Sequence, residues 1–277
     1  MRAFIPLLCL GLASCSFFAD PLEASSEHFH IVADTYTSSE AEMEALLEQG
    51  EAFHAAIMAI SPPDIRLDPT IEVRLNGKLR SQTPYVDSVG TVHLWRFSEG
   101  EGGYRALFAH ELVHAIAFDQ VAEADSLESP DLGFYSEGWA EYAALLVDPG
   151  KTGFPLFGFD EDVVTGHWVR HGGLTLARLR AAHEELNKQC EFQAYILRAS
   201  WFRYVDEVLG REVLLDVVAA RDGWAPEAME AVLGMGLDEV DADWRAWANA
   251  RYAAHPNADA EAEAYRARIS WVEPCVE

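Results

Sequence analysis

The chain has 277 residues, 50% of them hydrophobic, enough for one sizeable core or a core with a smaller lobe. Its 46 acidic residues against 20 basic ones leave a formal charge of −26, which excludes a surface built to hold nucleic acid and gains nothing from anionic lipid. Such an excess of acid reads first as a well-solvated surface, and second as a field that would steer cationic substrates.

The N-terminus reads as a targeting segment. Arg2 is the only early charge, and the apolar run "AFIPLLCLGLA" is too short to span a bilayer as a permanent helix. It ends in "LASC", Leu12 to Cys15, which resembles the bacterial lipobox. The resemblance implies a signal peptide over residues 1–14, cleavage before Cys15 and lipidation of that residue. It implies an exported protein of the bacterial cell envelope, held on a membrane by an N-terminal lipid anchor of several acyl chains. An ordinary secretory signal cut nearby, with Cys15 incidental, is the alternative. Of the four cysteines, Cys9 leaves with the signal. Cys190 and Cys275 remain as an even pair in an oxidising compartment, either a disulfide or two buried thiols.

Residues 15–27 read as a tether, 28–255 as the folded domain and 256–277 as a C-terminal tail. "HFHIVAD" (28–34) predicts a first strand. Residues 38–60 place a serine before an acidic first turn and apolar residues at helical spacing, which predicts a capped helix. "TIEVRLNG" (70–77) alternates as a strand does, and "DSVGTVHLW" (87–95) reads as a further strand near an edge. Beyond Arg96 the pattern predicts helices over 103–118, 135–147, 174–188, 191–208, 211–220, 226–233 and 237–253. Residues 149–173, rich in glycine and aromatics, read as a long irregular connection. The layout is α+β: a small N-terminal mixed sheet with a helix, then a mainly helical half.

The chemistry concentrates in "AHELVHA". On a helix, His110 and His114 lie one turn apart on one face and can offer both imidazoles to one point. Glu111 lies about 100° round the helix, within reach of a water at that point. This is the H-E-x-x-H arrangement, and zinc takes imidazole nitrogen well but needs a third protein ligand and an open position to be catalytic. In a chain with 10 histidines, chance alone produces such a pentapeptide roughly once in thirty chains, so the surroundings must decide. The flanks "ALFA" and "LVHAIAF" suggest a buried helix, where polar groups demand partners. One metal would satisfy both histidines; two core histidines bonded to carbonyls are the bland alternative.

The third ligand is the test. Metzincins carry glycine and histidine three and six residues past the second histidine; Ala117 and Gln120 stand there instead, which excludes that class. "YSEGWAEYAA" follows, with Glu137 after a gap of 22 residues and Glu141 one turn further. This segment closely resembles the ligand helix of gluzincins, the zinc peptidases related to aminopeptidase N and thermolysin. The resemblance implies a zincin-like fold, one Zn2+ held by His110, His114 and Glu137, and Glu141 behind a ligand histidine. It also implies peptide-bond hydrolysis, with Glu111 as the base that takes a proton from a zinc-bound water. An acidic helix start, favoured by the helix dipole alone, is the alternative for Glu137.

In aminopeptidase-N-like enzymes a tyrosine about sixty residues past the ligand glutamate stabilises the oxyanion. Tyr195, 58 residues past Glu137, matches that place, with an aromatic packed between helices as its alternative. Tyr204, His167 and His171 are the reserves. The order of segments over residues 28–252 is similar to small bacterial peptidase-MA-like proteins, where the strand ahead of the zinc helix, here "GTVHLW", takes substrate as an added strand. The G-x-M-E-N segment that grips a free amino group is absent, so aminopeptidase specificity does not carry over. The competing readings are an envelope lipoprotein that contains zinc and binds a peptide or partner without turnover, and a zinc hydrolase of a non-peptide amide.

Overall fold

The structure is a computed structural model and describes residues 21–33, 38–63, 70–76, 84–87, 89–95, 103–121, 130–148, 159–171, 173–185, 191–220 and 226–269. Its class is the expected α+β, a small mixed sheet followed by a mainly helical remainder. Cys15, Cys190, Cys275 and the signal segment lie outside the described residues. Among the described residues no helix is long and apolar enough to cross a membrane.

Strands β1 (Leu22–Ser25), β2 (Phe29–Ala33), β3 (Ile71–Asn76), β4 (Tyr85–Val86) and β5 (Val92–Trp95) form one sheet in the order β1-β2-β3-β5-β4. The central β2, β3 and β5 are parallel, and β1 and β4 pair antiparallel at the two ends. Alternate residues of β2 (Phe29, Ile31, Ala33) and β3 (Ile71, Val73, Leu75) are buried, as the period of two requires. The register sets Ile31 beside Val73 and Val73 beside Val92, so these side chains form one apolar row.

Helix α1 (Glu40–Ile60) connects β2 to β3. It starts at a capping box: Glu42 N donates to Ser39 Oγ (3.3 Å) and Ser39 N donates to the Glu42 carboxylate (2.9 Å). α1 and α2 (Gly103–Val121) cover the sheet through Phe29, Phe53 and Phe108, whose rings meet edge-on at 6.1–6.2 Å. A Cβ on Gly50 would stand 3.2 Å from Phe29 and 3.3 Å from Phe108, so the helix approaches these rings closely because it carries no side chain there.

The remainder is α3 (Pro130–Val147), α4 (Glu161–His171), α5 (Leu176–Glu185), α6 (Glu191–Tyr204) running into a π-turn (Val205–Leu209), α7 (Arg211–Ala219), α8 (Pro226–Leu233), α9 (Leu237–Ala254) and α10 (Ala258–Ile269). α3 packs between α2 and α6. At Gly138 the α3 backbone comes so close that a Cβ would stand 2.7 Å from Phe202 and 2.9 Å from the Arg198 Cβ. The π-turn that continues α6 is capped by Gly210, whose φ of 107° is open to glycine and to few other residues.

Several expectations need correction. Residues 22–25, inside the expected tether, are β1, and the expected tail contains α10, whose Ala258, Ala262 and Tyr265 are buried. The supposed irregular connection contains α4, whose Val163–Val169 are buried on every side and so show no amphipathic period. α3 begins at Pro130, five residues earlier than expected, where proline's fixed φ suits a first turn. Residues 87–95 are not one strand. Asp87 Oδ1 accepts from the amides of Val89 and Thr91, both at 3.0 Å, and turns the chain between β4 and β5. β4 therefore occupies part of the edge expected to receive an added strand, pairing with Val92 and His93.

Candidate metal centre

The site is built by two helices that are consecutive in the chain. On α2, His110 and His114 share a face, and the apolar residues around them, Phe108, Leu112 and Val113, are buried. On α3, Ser136, Glu137 and Glu141 face them. The three atoms His110 Nε2, His114 Nε2 and Glu137 Oε2 form a nearly equilateral triangle with sides of 3.1, 3.1 and 3.2 Å. Zinc–ligand bonds of 2.0–2.1 Å at tetrahedral angles put ligand atoms about 3.3 Å apart, so the triangle has the size of one face of that tetrahedron.

The outer hydrogen bonds decide what those atoms carry. Glu141 Oε2 lies 3.1 Å from His110 Nδ1; an ionised carboxylate only accepts, so Nδ1 carries the hydrogen and Nε2 keeps a lone pair. Ser136 Oγ, 3.1 Å from His114 Nδ1, can accept there in the same way. With those tautomers, lone pairs on two nitrogens and one carboxylate oxygen converge with no hydrogen between them. Such a donor set repels itself unless a cation joins it, and two imidazoles with a carboxylate are what zinc takes.

With no cation present, a proton relieves the same crowding instead. Burial opposes a charge on His110, yet the Glu137 and Glu141 carboxylates outweigh it and push the ring up to about 10 when only protein groups act on it. Burial likewise favours a neutral Glu137, but His114 and His110 hold its carboxyl well below the usual range. Glu111 behaves oppositely. It is 5% exposed, burial pushes its carboxyl up, and His110 and His114 offset only part of that. A carboxylate raised toward neutrality beside a donor triangle is suited to accepting and returning a proton.

No family model and no curated protein matches this chain. The functional reading therefore rests on the residues and their geometry.

Tyr195, on α6, sets its ring edge-on to His110 with centroids 5.6 Å apart, so the structure does bring it to the cluster. The reserves pack elsewhere. Tyr204 is buried against Trp247 of α9, and His167 stands beside His171 on α4, where burial and then the neighbouring His171 and Arg266 pull its ring down to about 4. Two residues escaped the sequence reading. Ser136 orients His114 from the position before Glu137. Arg198 is a charged residue inside the apolar run "AYILRASWF", the same signal of a buried polar group that exposed His110.

A second cluster, His28, Glu51 and His54, also brings ligating atoms together. Its rings are stacked at 4.0 Å and 21°, and lone pairs lying in near-parallel ring planes point past one another rather than at one ion. Its carboxylate instead accepts from His28 N (2.9 Å) and meets His28 Nδ1 (2.7 Å), tying the start of β2 to α1.

Proposed function

We propose that the chain is a zinc-dependent hydrolase of peptide bonds, of gluzincin type, carried on a lipid anchor at Cys15 in the bacterial cell envelope. The observation that carries the catalytic part is the 3.1–3.2 Å triangle of His110, His114 and Glu137 with Glu111 buried beside it on α2. The envelope address rests on "LASC" in the sequence.

His110, His114 and Glu137 would hold the ion, and Glu141 and Ser136 would fix the ring orientations that aim both Nε2 atoms inward. A bound zinc supplies a Lewis acid that polarises a carbonyl and acidifies water. Glu111 accepts the proton of the attacking water on its carboxylate and returns it to the departing amine. Its raised affinity for that proton suits both halves of the transfer. The Tyr195 hydroxyl is the candidate donor to the oxygen that becomes negative at the acyl carbon.

Purified mature protein should carry about one equivalent of zinc, the requirement of a single three-ligand site. Less than about a tenth of an equivalent from a metal-replete preparation would overturn the reading, since a formed site at this affinity class stays filled. Glu111→Gln should keep the metal and lose hydrolysis of a peptide library. Zinc retained with no turnover by the wild type would favour the binding lipoprotein over the hydrolase.

A further inference from the structure

Helix α6 presents two polar side chains toward the metal centre. Tyr195 touches His110, and Arg198 follows three residues later on the same side of the helix. Gly138, next to the ligand Glu137, lets the α3 backbone approach until a Cβ there would stand 2.9 Å from the Arg198 Cβ. The Arg198 side chain is fully buried, and its Nε, Nη1 and Nη2 have no hydrogen-bond partner among the described residues. Arginine does not give up its charge inside a protein. A guanidinium sealed from water without a direct partner is costly, so its charge must be answered by a field nearby. The carboxylate whose charge acts on it is that of Glu137.

The centre itself is crowded with negative charge. Glu111, Glu137 and Glu141 bring three carboxylates to two imidazoles, and when the planar carbonyl becomes tetrahedral the negative charge that Glu111 gives up on taking the water's proton appears on the acyl oxygen. We propose that Arg198 is a positioning residue of this centre: a fixed, buried positive charge behind Tyr195 and Glu137 that favours the anionic tetrahedral state of the acyl carbon over the neutral planar substrate. The inference rests on the hydrolase reading above and extends it to α6. A charge already in place in a dry interior needs no reorganisation when the oxygen becomes negative, and its field reaches further there than in water. It acts without touching substrate, so it distinguishes the two states by charge alone.

The test uses zinc-loaded protein and two probes, a peptide phosphinate, which is a tetrahedral anion, and the matching uncleaved peptide with an ordinary amide. Affinities are measured by calorimetry for the wild type, Arg198→Met and Arg198→Lys. The methionine variant should lose about tenfold or more for the phosphinate, the scale on which one electrostatic donor acts, and change little for the peptide. Lysine, which keeps the charge and loses the fork of donors, should recover most of the loss. In turnover the methionine variant should lower kcat and leave KM nearly unchanged. Equal weakening for both probes, or no change for either, overturns the proposal. If Arg198→Met fails to fold by circular dichroism, Arg198→Gln decides in its place. A wild type that binds phosphinate but cleaves no peptide overturns the peptidase reading and leaves the role of Arg198 standing; a wild type that binds no phosphinate overturns both.

Discussion

Replacing Gly138 by alanine tests the packing that holds the site together. In an ordinary helix interior this change stabilises by about 0.5–1 kcal/mol, because glycine loses more backbone freedom on folding than alanine does. Here the new methyl would stand 2.7 Å from Phe202 Cε2 and 2.9 Å from the Arg198 Cβ, where ordinary contact needs 3.4–4 Å. Phe202 and Arg198 are both buried, so neither can swing into solvent to make room. α6 must move away from α3 by roughly 0.5–1 Å, and overpacking of that kind costs about 1–3 kcal/mol. The overpacking term exceeds the helix-propensity gain, so Gly138→Ala should lower Tm by about 2–6 °C for a domain of this size. The move also strains the α3 backbone next to the ligand Glu137, so the variant should bind zinc less tightly than wild type. Thermal unfolding by circular dichroism, with and without a chelator, measures both effects. A variant as stable as wild type or more stable would refute the close approach of the two helices.

Glu141→Gln replaces the charged acceptor on His110 Nδ1 with a neutral one and should weaken zinc binding about 10- to 100-fold in chelator competition. His114→Ala removes one corner of the triangle. Zinc at about a hundred times its dissociation constant should stabilise the wild type by about 2.7 kcal/mol and should leave this variant's Tm unmoved. At the other cluster, burial raises the Glu51 carboxyl, but the neighbouring Ser26 hydroxyl and the hydrogen bonds from His28 prevail and hold it down to about 2 from an ordinary 4.5. A depressed carboxyl contributes stability that is full above pH about 4.5 and lost as pH falls toward 2. Because the pair faces solvent in part, Glu51→Gln should cost only about 1 kcal/mol at pH 7, and its stability should fall less steeply than wild type in acid unfolding.

The residues that set the fold class and the donor set were readable in the sequence because their patterns are local. His110 and His114 need only one helical turn to meet, and "YSEGWAEY" announces a second helix with carboxylates at the same spacing. What the sequence hid depends on contact between distant segments. α4 is buried on every side, so its residues 163–169 carry no stripe to reveal a helix. Among its described side chains α10 buries only Ala258, Ala262 and Tyr265, and its sequence otherwise looks like a solvated acidic tail. β1 is four residues long with Glu23 and Ser25 exposed, too little alternation to separate a strand from a tether. The hydrogen bond between Ser136 and His114 and the close approach at Gly138 exist only once α2, α3 and α6 have packed, and no single window of sequence contains both partners.

The two ends of the sheet bear on self-association. A long unpaired strand edge is a template on which a second chain can pair and aggregate. Here the end strands are short: β4 has two residues and β1 four, with the Glu23 carboxylate exposed on the latter. Beside β4 the chain turns sharply through Asp87 and Gly90, so the strand ends before it offers a useful length of backbone. The parallel strands β2, β3 and β5 are thereby flanked by end strands too short to propagate pairing far. The net charge of −26 adds repulsion between copies of the chain.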